Sequence, residues 1–79
     1  MYRTRKITLT QTLVEGKVVK VGDSVGFKSD YEQYGRIVEI TKDADYGWVR
    51  LTLENKNGFG GEYLRYSTKT TVPADECWI

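Results

Sequence analysis

A small antiparallel all-β barrel is the fold class that three observations predict. Short segments alternate apolar and polar residues at period two and are rich in Val, Ile, Thr and Tyr, as half-buried strands are. Gly, Asp and Asn turn signals stand between them at close spacing. No segment has the length and periodicity of a globular helix. The 79 residues make one domain, 1–79, near the size at which a single core just suffices and too short for an immunoglobulin sandwich. A barrel of about five to seven strands fits that length.

The first predicted strand is Arg3 to Val14, with Ile7, Leu9 and Leu13 on one side and Thr8, Thr10 and Thr12 on the other. Glu15-Gly16 reads as a hairpin tip and Lys17 to Val21 as the return strand, so residues 3–21 form an N-terminal hairpin added to a barrel of residues 22–79. Gly22-Asp23 breaks the run, and Ser24 to Lys28 resumes it with Val25 and Phe27 facing one way. Ser29 to Tyr34 reads as a polar loop, and Gly35 opens a strand from Arg36 to Lys42. Ile37 and Ile40 cannot share a face by strict alternation, which predicts a bulge or a strong bend.

Asp43 to Gly47 is a turn by composition. Trp48 to Glu54 gives the clearest alternation, with Val49, Leu51 and Leu53 inward. Asn55 to Gly58 is a further hairpin signal, and Gly60-Gly61 is expected to bend a strand from about Glu62 to Thr70. Val72-Pro73 ends that strand, because proline donates nothing to a ladder. Pro73 to Glu76 has room for one helical turn, and Cys77 to Ile79 for a last short strand.

The chain has no histidine, which removes imidazole bases, Ser-His-Asp and Cys-His nucleophiles, and ordinary Cys/His zinc sites. Its one cysteine, Cys77, lies between Glu76 and Trp78 and reads as a buried structural thiol. Gly58-Phe59-Gly60-Gly61 lacks the later glycine and the helix of a dinucleotide loop, and Asp43-Ala44-Asp45 lacks the ligands that would complete a calcium loop. The pairs Asp30/Glu32 and Asp75/Glu76 could in principle do acid-base work, but both fall in expected surface turns. The expectation is a non-enzymatic protein with no cofactor and no metal. No apolar run nears the roughly 20 residues of a membrane span, and the basic start lacks a signal peptide's apolar core. A cytoplasmic protein is expected.

Val21-Gly22-Asp23-x-Val25-x-Phe27, a polar stretch, then Gly35-x-Ile37-x-x-Ile40 resembles the opening of SH3-like barrels, including the KOW and Tudor-like groups. The ending Val72 to Ile79 resembles the short helical turn and final strand with which such barrels close. The resemblance implies an SH3-like barrel used as a binding module, often on nucleic acid or its machinery. The chain departs from the KOW pattern at Asp30, Tyr31, Glu32 and Gln33, where that group carries basic residues and glycines. In general style it is similar to SH3-like accessory proteins of tailed phages, which implies a host-cytoplasm setting.

Two sets of residues are candidates for binding. Residues 1–22 hold five of the 12 basic residues, Arg3, Arg5, Lys6, Lys17 and Lys20, but only Glu15 of the 11 acidic ones. They are the expected phosphate-facing set for a nucleic acid, or else the charged flanks of an edge strand that resists aggregation. Tyr31, Tyr34, Tyr46 and Trp48 lie in or beside expected turns and would form an aromatic rim that stacks on bases or anchors a protein. The leading reading is docking on a nucleic acid or a nucleic-acid machine. The alternative is a protein-binding inhibitor or adaptor that uses the rim on a host enzyme. A third reading is self-association through the N-terminal edge strand.

Overall fold

A computed structural model describes residues 5–79, which form seven strands and one 3-10 turn. The strands are β1 (Lys6–Leu9), β2 (Gln11–Val14), β3 (Lys17–Lys20), β4 (Ser24–Ser29), β5 (Tyr31–Asp43), β6 (Val49–Glu54) and β7 (Lys69–Pro73), and the 3-10 turn is Ala74–Glu76. All strand pairings are antiparallel.

The 13-residue β5 organises the main sheet. One of its edges carries β4 against Tyr31–Arg36 and then β1 against Ile40–Asp43; its other edge carries β6, which in turn pairs with β7. Between β1 and β4 the first edge is completed by Gly22 N–H, which donates to Ile37 O at 2.8 Å, and by Ile37 N–H, which donates to Asp23 O at 2.8 Å. The expected bulge lies at Ile37/Glu39 and shifts the side-chain phase, so that Ile37 and Ile40 are both wholly buried. They meet Val14, Val25, Phe27, Leu51 and Leu53 in one buried cluster. Each such side chain contributes roughly 1.5–3 kcal/mol by leaving water, which is how a chain of this size folds without a disulfide.

The sheets do not close into a continuous barrel. β7 and β4 do not pair; the 3-10 turn leads from β7 to Trp78, which forms a single bridge with Gly26 of β4. In that bridge Gly26 N–H donates to Trp78 O at 2.7 Å and Trp78 N–H donates to Gly26 O at 3.0 Å. The last strand expected at Cys77 to Ile79 is therefore one bridge long.

Three further expectations change. The predicted first strand breaks at Thr10, and the bend there reverses the side-chain phase. Leu13, expected inside, is 61% exposed, while Val14 is buried. As a result β1 belongs to the main sheet, and only β2 and β3 form the separate hairpin, whose Val14 and Val19 join the common core. The polar stretch Ser29 to Tyr34 is not a loop but a tight hairpin turning at Asp30, whose φ is 65°. The strand expected from Glu62 begins only at Lys69, because residues 55–68 leave the sheet as an excursion closed at its base by Asn55 N–H donating to Thr68 O at 2.9 Å.

Candidate partner-binding site

A partly open cleft of about 770 Å³ lies where the β2–β3 hairpin, the start of β6 and the 3-10 turn meet. Thr12, Leu13 and Glu15 form one wall, Trp48 and Arg50 the other, and Ala74 to Cys77 the floor. The hairpin is fixed by its tip, where Glu15 (φ 53°) and Gly16 (φ 78°) both adopt the left-handed backbone that this tight turn requires. The Glu15 carboxylate accepts a 2.8 Å hydrogen bond from Ile79 N–H, which ties the tip to the last residues of the chain.

The opposite wall follows from the Asp43–Gly47 turn. Asp43 Oδ1 accepts from the N–H groups of Asp45 and Tyr46, each at 2.9 Å, and Gly47 N–H donates to Asp43 O at 2.8 Å. Asx turns of this kind are the reason Asp begins so many loops. Asp43 N–H then donates to Trp48 O at 2.8 Å and closes the turn. Tyr46 and Trp48 leave it on the same side and stack, with centroids 4.9 Å apart and planes at 17°. Both rings remain largely exposed, at 69% and 60%.

The ionisable lining is acidic: Glu15, Asp75 and Glu76 against Arg50. Cys77 on the floor is buried, and burial, followed by the charges of Glu76 and Asp75, pushes its thiol up to about 11. A thiol held protonated is a poor nucleophile. Among the described residues no group of Cys, Asp and Glu side chains is arranged to hold a metal ion, and no helix is long and apolar enough to cross a membrane.

The structure divides the expected aromatic rim. Tyr46 and Trp48 come together at the cleft, but Tyr31 and Tyr34 stand at the other end of β5, because the stretch that carries them is strand rather than loop. The Tyr31 hydroxyl lies directly over Gly60, in space that a side chain there would fill. Tyr34 lines a shallower depression with Arg36, Glu54 and Lys56, beside the exposed Arg36–Glu54 ion pair at 3.3 Å.

The expected basic set is divided too. Arg3 lies outside the described residues. Arg5 precedes β1 and accepts Ala44 N–H at its carbonyl, at 2.9 Å, while Lys6 faces Asp43 across the β1–β5 pair. Lys17 and Lys20 belong to the other sheet and, three residues apart on β3, project from opposite faces. The break at Thr10 thus separates charges that a continuous hairpin would have gathered.

Sequence reasoning passed over other residues. Gln33, assigned to an exposed loop, is buried at 8% exposure. Phe59 is a core residue that packs edge-on against Phe27 at 5.3 Å. Tyr63 and Tyr66, at 83% and 87%, are more exposed than any aromatic chosen for the rim. The signal for Phe59 was its place between Gly58 and Gly60, where the chain needs an apolar anchor. Comparison with family models, with curated proteins and with solved structures gives no match.

Proposed function

We propose that this chain is a non-enzymatic binding module, SH3-like in architecture, that takes a basic segment of a protein partner in the cleft beside Trp48. The SH3-like assignment is supported by the run of consecutive antiparallel neighbours β4, β5, β6 and β7, followed by a 3-10 turn that returns Trp78 to β4. The observation that carries the functional reading is that Trp48, stacked on Tyr46, lines a cleft whose carboxylates outnumber its one arginine. Stiff exposed rings give contact area at low entropic cost, and an arginine or lysine side chain gains both from the ring faces and from the carboxylates.

Of the two partner classes expected from the sequence, the cleft favours protein. Its charge repels phosphate, and among the described basic residues of the N-terminal region Lys17 and Lys20 lie in a different sheet from Lys6. A module of this kind suits an adaptor or inhibitor that attaches to a larger enzyme, including one that works on nucleic acid.

Selection from a random peptide display library tests the reading. The expected result is enrichment of Arg/Lys-containing peptides whose binding is lost in Trp48→Ala and weakened in a Glu15→Gln, Glu76→Gln double variant. Peptides that bind Trp48→Ala equally well, or no selected peptides at all, would overturn it.

A further inference from the structure

The excursion between β6 and β7 is a second surface, sharing no lining residue with the cleft. Its root is rigidly held. Phe59 is buried, Leu64 packs on the core, Phe59 N–H donates to Ser67 O at 2.8 Å, and Ser67 N–H donates to Leu64 O at 2.9 Å. Gln33 grips Gly60 through both its amide atoms. From this anchored base Tyr63 and Tyr66 stand out almost free of contact.

Tyr66 has φ 69°, a left-handed conformation that bulky residues rarely adopt and that glycine or asparagine would adopt more readily. Fold economy does not favour a tyrosine there. The Arg65 guanidinium lies 5.2 Å from the centroid of the Tyr66 ring. Lys56 and Lys69 flank the Asn55–Thr68 hydrogen bond at the base of the excursion, and Glu62 is its one acidic residue. Glu54 stands opposite Lys69 in the β6–β7 register and Asp30 Oδ2 accepts from Glu62 N–H, so the surface combines two exposed rings with three cations and three carboxylates.

From this combination we infer that the Tyr63–Tyr66 excursion is a single-stranded nucleic-acid site, with the tyrosines as base-stacking platforms and Arg65, Lys56 and Lys69 meeting phosphates. Every base offers a π face, so free rings beside cations bind single strands with little sequence preference. The cations would also make the binding salt-dependent through counterion release. The projecting rings, with the Arg65 guanidinium beside Tyr66, favour this occupant over a protein side chain, which would seek a concave pocket. The inference goes beyond the cleft reading and does not depend on it.

Fluorescence anisotropy with a labelled oligothymidylate, at low and at moderate salt, tests the site in the full chain. Binding should weaken with salt, and Tyr66→Gly should weaken it about five- to a hundredfold. Because glycine suits the Tyr66 backbone, that variant should fold at least as stably, so a loss of binding reports the missing ring. Tyr63→Ala should act in the same direction, and Arg65→Glu should weaken binding and flatten its salt dependence. Trp48→Ala should leave oligonucleotide affinity unchanged, which separates this site from the cleft. No binding at low salt would overturn the proposal. So would binding indifferent to both tyrosine substitutions, which would place the contact elsewhere, for example at Arg5 and Lys6.

Discussion

The side chain of Gln33 holds the backbone of Gly60 at both of its polar groups: Oε1 accepts from Gly60 N–H at 2.8 Å, and Nε2 donates to Gly60 O at 3.1 Å. A third bond, from Nε2 to Ser29 O at 2.9 Å, ties the same amide to the β4–β5 turn. One buried polar residue thus does for the β6–β7 excursion what a strand partner would otherwise do. No buried side-chain N or O atom among the described residues is left without a partner. Asp30 and Tyr31 complete the grip, since Glu62 N–H donates to Asp30 Oδ2 and the Tyr31 ring covers Gly60.

Replacing Gln33 by leucine should therefore be costly although leucine suits a buried strand position. It strands the N–H and C=O of Gly60, and each unsatisfied buried group costs about 1–3 kcal/mol. The expected loss is about 2–4 kcal/mol in denaturant unfolding. Amide exchange should accelerate at Phe59 and Ser67 more than in β5 and β6. Uniform acceleration across the chain would mean that Gln33 does not specifically hold the excursion.

Gly26 and Trp78 give a second prediction. A Cβ at Gly26 would lie 2.2 Å from Trp78 Nε1, so even alanine must expel the indole. Gly26→Ala should cost about 1–3 kcal/mol, as overpacking generally does. It should also shift Trp fluorescence to the red as Trp78 enters water. The double variant Gly26→Ala, Trp78→Ala should show non-additive loss, because the second change removes what the first collides with.

What could be read from the sequence followed the apolar residues. Ile37, Ile40, Leu51 and Leu53 declared their strands and even the bulge, because burial of apolar side chains fixes the phase of a strand. The start of β5 was hidden because its inward positions are Gln33 and Gly35, which carry no hydrophobic signal. Leu13 misled in the opposite sense: its period matches Ile7 and Leu9, but the bend at Thr10 turns it to solvent. The aromatic site was half legible. The Asp43–Gly47 turn placed Tyr46 beside Trp48, a local relation. Whether Tyr31 would join them depended on the length of β5, and that length depended on Gln33 finding a partner 27 residues away.

Cys77 should titrate late and react slowly. Its thiol lies at about 11 against an ordinary 9.0, because burial and then Glu76 and Asp75 disfavour the thiolate. A raised pKa means that the fold favours the neutral thiol over the thiolate. This contribution to stability is complete below pH 9.0 and lost as pH rises toward about 11. Unfolding measured across that window should show falling stability in the natural chain and a flatter profile in Cys77→Ala. At about pH 8 iodoacetamide should modify native Cys77 about a hundredfold more slowly than the unfolded chain's thiol. Equal rates would show that the thiol is neither buried nor shifted.

The cleft wall rests on Asp43, so the stack of Tyr46 on Trp48 should be removable without touching either ring. Asp43→Ala deletes the Oδ1 atom that accepts from both Asp45 and Tyr46, and the turn should loosen at a cost of about 1–2 kcal/mol. Asp43→Asn keeps an oxygen in the same place and should lie within about 0.5 kcal/mol of the natural chain. The alanine variant should lose the near-ultraviolet dichroism of the stacked pair and weaken basic-peptide binding at the cleft, whereas the asparagine variant should keep both. If both variants bind peptide as the natural chain does, the rings act independently of the turn that presents them. If asparagine fails with alanine, it is the charge of Asp43 beside Lys6, rather than its hydrogen bonds, that shapes this wall.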